Sequence, residues 1–133
     1  MPFYSIDRMD SKKDSAGGPA QAKTVAGELM KAGIVTYQVG DGPNPHFHPN
    51  EEQFILMLEG KLRMILGEEV KDIGKGDLVH IPRNTRHGVR CVEGPAVFFT
   101  VKSPCGDGDL SQDYNKAKDA SEAWARLSKG FKS

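Results

Sequence analysis

Three of the four histidines in the sequence stand in two short stretches that could hold a metal ion together. His46 and His48 are one residue apart, so on an extended segment both imidazoles project to the same side. His87 follows a turn that contains Pro82 and Asn84, where one strand would end and the next begin. Imidazole nitrogens bind divalent transition metals at about 2.0–2.1 Å. We therefore expect His46, His48 and His87 to share one ion.

The residues around these histidines are typical of short antiparallel strands. Apolar, β-branched and aromatic runs alternate with stretches that contain Gly and Pro, as in β-sandwiches and barrels. The strands predicted in this way are Ile34–Val39, Phe54–Leu58, Lys61–Leu66, Asp77–Ile81, His87–Val92 and Ala96–Val101. The predicted fold class is all-β.

The two histidine-bearing stretches resemble the paired motifs of the cupin superfamily. The first motif of that family has the form G-x5-H-x-H-x3,4-E-x6-G and the second G-x5-P-x-G-x2-H-x3-N. The resemblance runs from Gly40 to Cys91, with Asn84 at the middle glycine of the second motif and Cys91 at its final asparagine. Asparagine tolerates the positive φ that a glycine would supply at this point. The resemblance implies a single jelly-roll β-barrel with one metal ion at its mouth.

The glutamate ligand of the family motif is replaced in this sequence. Counting back from Gly60, its position falls on Gln53, whose amide oxygen can coordinate a metal but carries no charge. Glu52 satisfies the looser spacing of the motif and is the alternative ligand. A site with Gln53 leaves the charge of the ion uncompensated and polarises a bound oxygen more strongly, which is a Lewis-acid role. The ligand set suits Mn, Fe, Ni, Co or Zn and does not choose among them.

Strand parity predicts which side chains accompany these ligands. If Gln53 and His87 face the ion, four more residues line the substrate pocket: Ile55, Met57, Val89 and Cys91. Cys91 would tune the site or serve as a small buried hydrophobe. The opposite face would expose Phe54, Leu56 and Leu58, which need cover by the amino-terminal segment, a carboxyl-terminal helix or a second subunit. We therefore expect a homodimer, as is common among cupins.

Five other side chains are candidates for substrate contact or proton transfer: Tyr37, Arg63, His80, Lys102 and Tyr114. An open Lewis-acid site normally needs a positioned acid, base or anion clamp. His80, Tyr37 and Tyr114 are the catalytic candidates, with His80 as a proton shuttle near neutral pH. Arg63 and Lys102 belong to the predicted substrate pocket. Each of the five could equally be an ordinary packing or surface residue.

The length of 133 residues suits one domain, residues 1–133. We divide it into an amino-terminal arm at 1–23, a motif core at 40–101 and a carboxyl-terminal loop and helix at 104–133. The helix is predicted because Ala117, Ala120, Trp124 and Leu127 share one side of it. Asp113 would cap this helix and Gly130 would end it.

Composition limits the partners and the location of the protein. Eighteen basic residues balance eighteen acidic ones, so no overall field favours nucleic acid or an anionic membrane. No apolar run approaches the roughly 20 residues that span a bilayer, and the first residues lack the apolar core of a secretory signal. We expect a cytoplasmic protein whose partners are a small-molecule substrate and a second copy of itself.

Three functions are compatible with this site. The first is a metal-dependent enzyme that polarises an oxygenated small molecule for isomerisation, ring opening, dehydration or lysis; it is similar to uronate ring-opening cupins and cupin hydroxynitrile lyases, which share a glutamine ligand. The second is an Fe(II)-dependent dioxygenase that uses the same histidines. The third is a non-catalytic cupin that binds a small ligand or stores metal. Gln53 favours the first.

Overall fold

Two long strands organise the structure, a computed structural model that describes residues 3–13 and 20–130. They are β5 (Glu52–Leu66) and β8 (His87–Ser103), which pair along their whole lengths. The other strands in the described residues are β1 (Lys12–Lys13), β2 (Gln21–Ala26), β3 (Lys31–Tyr37), β4 (His46–Phe47), β6 (Glu69–Gly74), β7 (Leu78–Ile81) and β9 (Asn115–Lys116). One α-helix, α1 (Ala120–Leu127), and a short 3-10 turn, Ile6–Arg8, complete these elements.

The strands form one curled antiparallel sheet. Its main order is β1-β2-β3-β8-β4-β9, and β5 lies beside β8 with β6 and β7 along its other edge. Every pair of strands is antiparallel. The fold is therefore an all-β jelly roll with a short carboxyl-terminal helix, as the sequence predicted.

The five strands predicted after residue 50 correspond to three strands in the structure, β5, β7 and β8. The run from 54 to 66 is one strand, because the predicted turn at Gly60 is a bulge inside β5. Gly60 has φ +70, and a Cβ there would lie 2.4 Å from the carbonyl oxygen of Pro95. Only glycine fits this close approach of two bulged strands.

The bulges change which residues face the core. On β5 the buried residues are odd-numbered from Gln53 to Met57 and then even-numbered at Leu62 and Met64. On β8 the buried set changes from Val89 and Cys91 to the even-numbered residues from Ala96 to Lys102. The inward direction predicted for Ile55, Met57, Val89 and Cys91 is confirmed. The alternation of inward and outward residues is interrupted at each bulge, so it cannot be extended beyond one.

The amino-terminal region departs from the predicted arm. Lys12 and Lys13 form β1 and lie opposite Ala22 and Gln21 of β2. β2 also crosses the predicted limit of the arm at residue 23. Residues 1–2 and 14–19 of the predicted arm lie outside the described residues.

The helix packs against one end of the long strands. Leu127 and Ala123 are buried with Ile65 of β5 in a small cluster that includes Trp124 at its edge. Three residues of the predicted apolar side, Ala120, Trp124 and Leu127, lie in the helix, but Ala117 precedes it. The helix ends at Leu127, before the predicted stop at Gly130, and the predicted cap is wrong. Asp119 occupies the N-cap position, whereas Asp113 has φ +67 and accepts hydrogen bonds from Asn50.

An apolar patch covers the outer face of the sheet where β7, β5 and β8 lie side by side. We call it the outer apolar patch; its exposed side chains are Phe54 (40%), Leu58 (37%), Leu78 (66%) and Phe99 (38%). Leu56 lies opposite both Leu78 and Phe99. The helix packs elsewhere, so it does not supply the cover that the sequence predicted. Across the described ranges, no helix has the length and apolar character needed to cross a membrane.

Candidate metal centre

The pairing of β4 with β8 places His46 directly opposite His87. His48 follows the end of β4, and all three imidazoles are buried. One ring nitrogen of each histidine lies within 4.8 Å of one in each of the others. The structure thus brings the three predicted histidines into a cluster that could hold one ion.

Each imidazole is oriented by a backbone carbonyl. The Nδ1 atoms of His46, His48 and His87 lie 2.6, 3.1 and 2.9 Å from the carbonyl oxygens of Asn44, Asp113 and Thr85 respectively. A carbonyl oxygen only accepts a hydrogen bond, so each Nδ1 carries the proton and donates it. Each Nε2 therefore keeps the lone pair that a metal ion requires.

The environment also keeps the His48 and His87 rings neutral. Burial, with a smaller contribution from the positive charge of Lys102, lowers the pKa of His48 to about 3. Burial likewise holds the pKa of His87 well below its usual value, and the neighbouring His46 acts in the same direction. Neutral imidazole is the form that binds metal, so His48 and His87 need lose no proton at neutral pH.

Gln53 presents a buried amide oxygen that has no partner among the described residues. Its Nε2 donates to the Thr100 hydroxyl at 2.8 Å, and that hydroxyl donates to the carbonyl of Phe54 at 2.9 Å. Because the hydroxyl proton is engaged, Thr100 can only accept from Gln53, which fixes the orientation of the amide. An unpaired buried acceptor costs about 1–3 kcal/mol. A metal ion beside the histidines would give this oxygen a partner, so the residues present fit a divalent ion.

Glu52, the alternative ligand, lies on the other side of the sheet. It follows the outward parity of β5, and its carboxylate pairs with Nε2 of His80 at 2.8 Å. The His80 ring stacks on Phe54 at 4.7 Å between centroids. Both residues are exposed, so Glu52 does not reach the histidines and His80 does not serve the site as a proton shuttle.

The three histidines and Gln53 line a cavity of about 360 Å³. Five of the other predicted pocket or catalytic residues also line it: Tyr37, Ile55, Val89, Lys102 and Tyr114. The apolar wall is completed by Val35 and Phe98, and Phe98 stacks on Tyr37.

Three predicted pocket residues lie elsewhere. Met57 and Cys91 face inward, but they fill the core further along the strands and do not line the cavity. Burial raises the pKa of the Cys91 thiol, which keeps it protonated. Arg63 follows the parity change at the bulge and faces outward, where its guanidinium binds Asp72 and the carbonyl oxygen of Lys129.

A buried ion cluster, which the sequence analysis did not predict, lies beside the cavity. The Glu51 carboxylate lies 2.5 Å from the ammonium of Lys31 and 3.6 Å from that of Lys102, and all three side chains are buried. Glu51 shares the parity of Gln53, which was a signal that it faces inward. No feature of the sequence predicts that Lys31 is buried, since lysine is rarely fully buried.

The carboxyl-terminal loop, residues 105–114, covers one side of the cavity. The ammoniums of Lys31 and Lys102 donate to its carbonyl oxygens at Asp109 and Leu110. The Tyr114 ring lies 4.5 Å from the His46 ring. The loop also supplies the Asp113 carbonyl that orients His48, so it is part of the site.

We expect the metal-free protein to lose stability as the pH falls. The unfolded chain protonates His48 near pH 6.5, whereas the folded protein does so only near pH 3. In this window the unfolded state binds more protons, so the free energy of unfolding decreases by about 2 kcal/mol for His48 between pH 6.5 and about pH 5. His87 adds a loss of the same sign. Urea denaturation of the wild type and of His48→Asn measures this; an equal pH dependence in both proteins would contradict it.

Comparisons with known proteins agree with this geometry. A family model described as a cupin domain matches residues 33–102, more than half of the chain. No curated protein matches the sequence significantly.

Several solved structures have a fold similar to that of this chain. KdgF from Halomonas sp. is 25% identical, with a TM-score of 0.71 over 78% of this chain and 94% of that one. An RmlC-like cupin from Shewanella frigidimarina is 19% identical, with a TM-score of 0.68 over 77% of this chain and 89% of that one. Oxalate decarboxylase from Bacillus subtilis is 21% identical, with a TM-score of 0.67 over 85% of this chain but only 31% of that one. Because the cupin family model matches more than half of the chain, the chain belongs to the cupin superfamily.

Proposed function

We propose that this cupin is a metal-dependent enzyme that polarises an oxygen atom of a small-molecule substrate. The reaction is an isomerisation, a ring opening, a dehydration or a lysis. The observation that carries the proposal is the unpaired oxygen of Gln53 in the cavity that the three clustered histidines also line. A divalent ion held by His46, His48, His87 and Gln53 would supply Lewis-acid polarisation of a carbonyl, hydroxyl or water.

The chain itself positions the substrate and handles its protons. Ile55, Val89 and Phe98 line the cavity with apolar surface, which excludes water and strengthens electrostatic interactions inside. Tyr37 and Tyr114 also line the cavity, and the Tyr114 hydroxyl donates to the carbonyl oxygen of Asn44 at 3.4 Å. These two remain the candidate proton donors, because His80 lies on the outer face.

The comparisons support parts of this proposal. The match covers 94% of KdgF, as expected if this chain is a small single-domain cupin. Oxalate decarboxylase from Bacillus subtilis has Mn(II) centres. That supports Mn among the candidate ions Mn, Fe, Ni, Co and Zn, which the ligand types alone do not separate.

Turnover without oxygen tests the proposed reaction class. The protein is stripped of metal, reloaded separately with Mn, Ni, Zn or Fe, and assayed under argon with sugar acids, keto acids and cyanohydrins. We expect turnover by the wild type and a loss of at least about 100-fold in His48→Ala, since several kcal/mol of charge stabilisation disappear. Activity that needs both iron and oxygen would instead identify a dioxygenase. Tight metal binding with no turnover of any substrate would identify a non-catalytic cupin.

Metal retention tests the fourth ligand. Gln53→Ala should weaken metal affinity at least about tenfold, because even changes around ligands typically have this effect. Glu52→Ala is the matched control, since Glu52 is the preceding residue on the opposite face and should leave affinity unchanged. Affinities come from competition with a chromogenic chelator. Equal affinities in the wild type and Gln53→Ala would remove Gln53 from the site.

The outer apolar patch supports a homodimer. Phe54, Leu58, Leu78 and Phe99 lie exposed together on one face, and contiguous apolar surface of this kind marks an interface. We expect a dimer by size-exclusion chromatography with light scattering, and a monomer for Phe99→Glu. Val39→Glu, at an exposed apolar position outside the patch, is the control and should remain dimeric. A monomeric wild type would refute the proposal.

A further inference from the structure

A row of three polar side chains crosses the inner face of the barrel beside the metal-binding cluster. Lys102 of β8 lies directly opposite Lys31 of β3 on one side and opposite Gln53 of β5 on the other. All three are buried. Residues that face each other across antiparallel strands have Cβ atoms about 4.5–5.5 Å apart. Lys102 is therefore the immediate neighbour of the candidate fourth ligand.

Placing two lysines opposite one another is costly, because like charges directly across a sheet destabilise it. Glu51 offsets part of this cost, since its carboxylate lies between them. The Glu51 carboxylate lies closer to the ammonium of Lys31, at 2.5 Å, than to the ammonium of Lys102, at 3.6 Å. One carboxylate neutralises at most one of the two positive charges.

The two lysines differ in what they face. Lys102 lines the cavity, and Lys31 does not. Among the described residues, Lys102 is the one charged side chain that both lines the cavity and is buried. The acidic residues of the lining, Asp107 and Asp109, are exposed, and their carboxylates accept hydrogen bonds from N–H groups of their own loop. The charge of Lys102 also reaches the imidazole of His48.

We propose that Lys102 is the specificity residue for an anionic ligand, a carboxylate with an oxygen on the adjacent carbon, such as a 2-hydroxy or 2-oxo acid. The carboxylate lies at the Lys102 ammonium, and the adjacent oxygen lies toward the cluster of His46, His48, His87 and Gln53. This deepens the proposed function and rests on it, since that oxygen is the one polarised. Because Lys102 and Gln53 are direct cross-strand neighbours, a ligand that reaches both should carry its charge and the polarised oxygen close together. Because the four protein ligands are neutral, the anion also supplies negative charge to a cavity that holds a divalent ion and an ammonium group.

Glycolate and glycolamide are suitable probes, because they share the hydroxyl group and differ in charge. Both are titrated by NMR into the zinc-loaded wild type and into Lys102→Met, which removes the charge and keeps the length of the side chain. We expect the wild type to bind glycolate at least about tenfold more tightly than glycolamide, and Lys102→Met to lose this preference while it retains zinc. Lys102→Arg should recover part of it. Lys71→Met, the same substitution at an exposed position on β6, should behave as the wild type.

The outcomes separate this inference from the proposed function. A Lys102→Met protein that still prefers glycolate, with zinc bound and the folded NMR spectrum intact, overturns the role of Lys102. If Lys102→Met does not fold, the same titrations are made with Lys102→Gln, which should also lose the preference for glycolate. Equal binding of glycolate and glycolamide by the wild type overturns the inference. If the wild type binds none of Mn, Fe, Ni, Co and Zn, the proposed function is refuted instead. In that case, a preference of the metal-free protein for glycolate that Lys102→Met removes would still support the anion site.

Discussion

The register between β5 and β8 is the constraint on which the site depends. Side chains alternate between the two faces of a strand, so a slip of one residue would turn Gln53 outward and bring Glu52 in. In the observed register Gln53 lies opposite Lys102, and Ile55 lies opposite Thr100. The Thr100 hydroxyl then orients the Gln53 amide. One backbone ladder thus decides which oxygen faces the cavity, which hydrogen bond directs it and which positive charge lies beside it.

The polar groups around the cavity are interdependent, because each is buried and needs a partner. Glu51 separates two lysine ammoniums, and both ammoniums donate to carbonyls of the loop at residues 105–114. The same loop gives His48 the carbonyl of Asp113. Losing one partner of a buried ion pair costs about 3–5 kcal/mol, far more than an exposed pair contributes. The loop, the ion cluster and the orientation of His48 therefore form one cooperative unit.

Much of the site could be predicted because its information is local. The spacing of His46 and His48, the inward parity of Gln53 and the positive φ at Asn84, observed at +60, all depend on a few neighbouring residues. The remainder depends on long-range contacts. Parity gives the face of Met57 and Cys91 but not their depth in the barrel. The bulges that reverse the direction of Arg63 arise where two strands meet, and the position of the carboxyl-terminal loop depends on buried lysines far away in the sequence.

The neutral ligand set has a consequence for the chemistry of a bound metal. A glutamate ligand would place a negative charge beside the ion and stabilise its higher oxidation state. Gln53 provides an oxygen of similar size without that charge, and Lys102 adds a positive charge nearby. In a cavity of low polarity these charges act strongly. If His46, His48, His87 and Gln53 held a divalent ion, this charge arrangement would favour its divalent state over a trivalent one and would supply Lewis-acid polarisation of a bound oxygen. Both effects would follow from the identity of one side chain and the register that turns it inward.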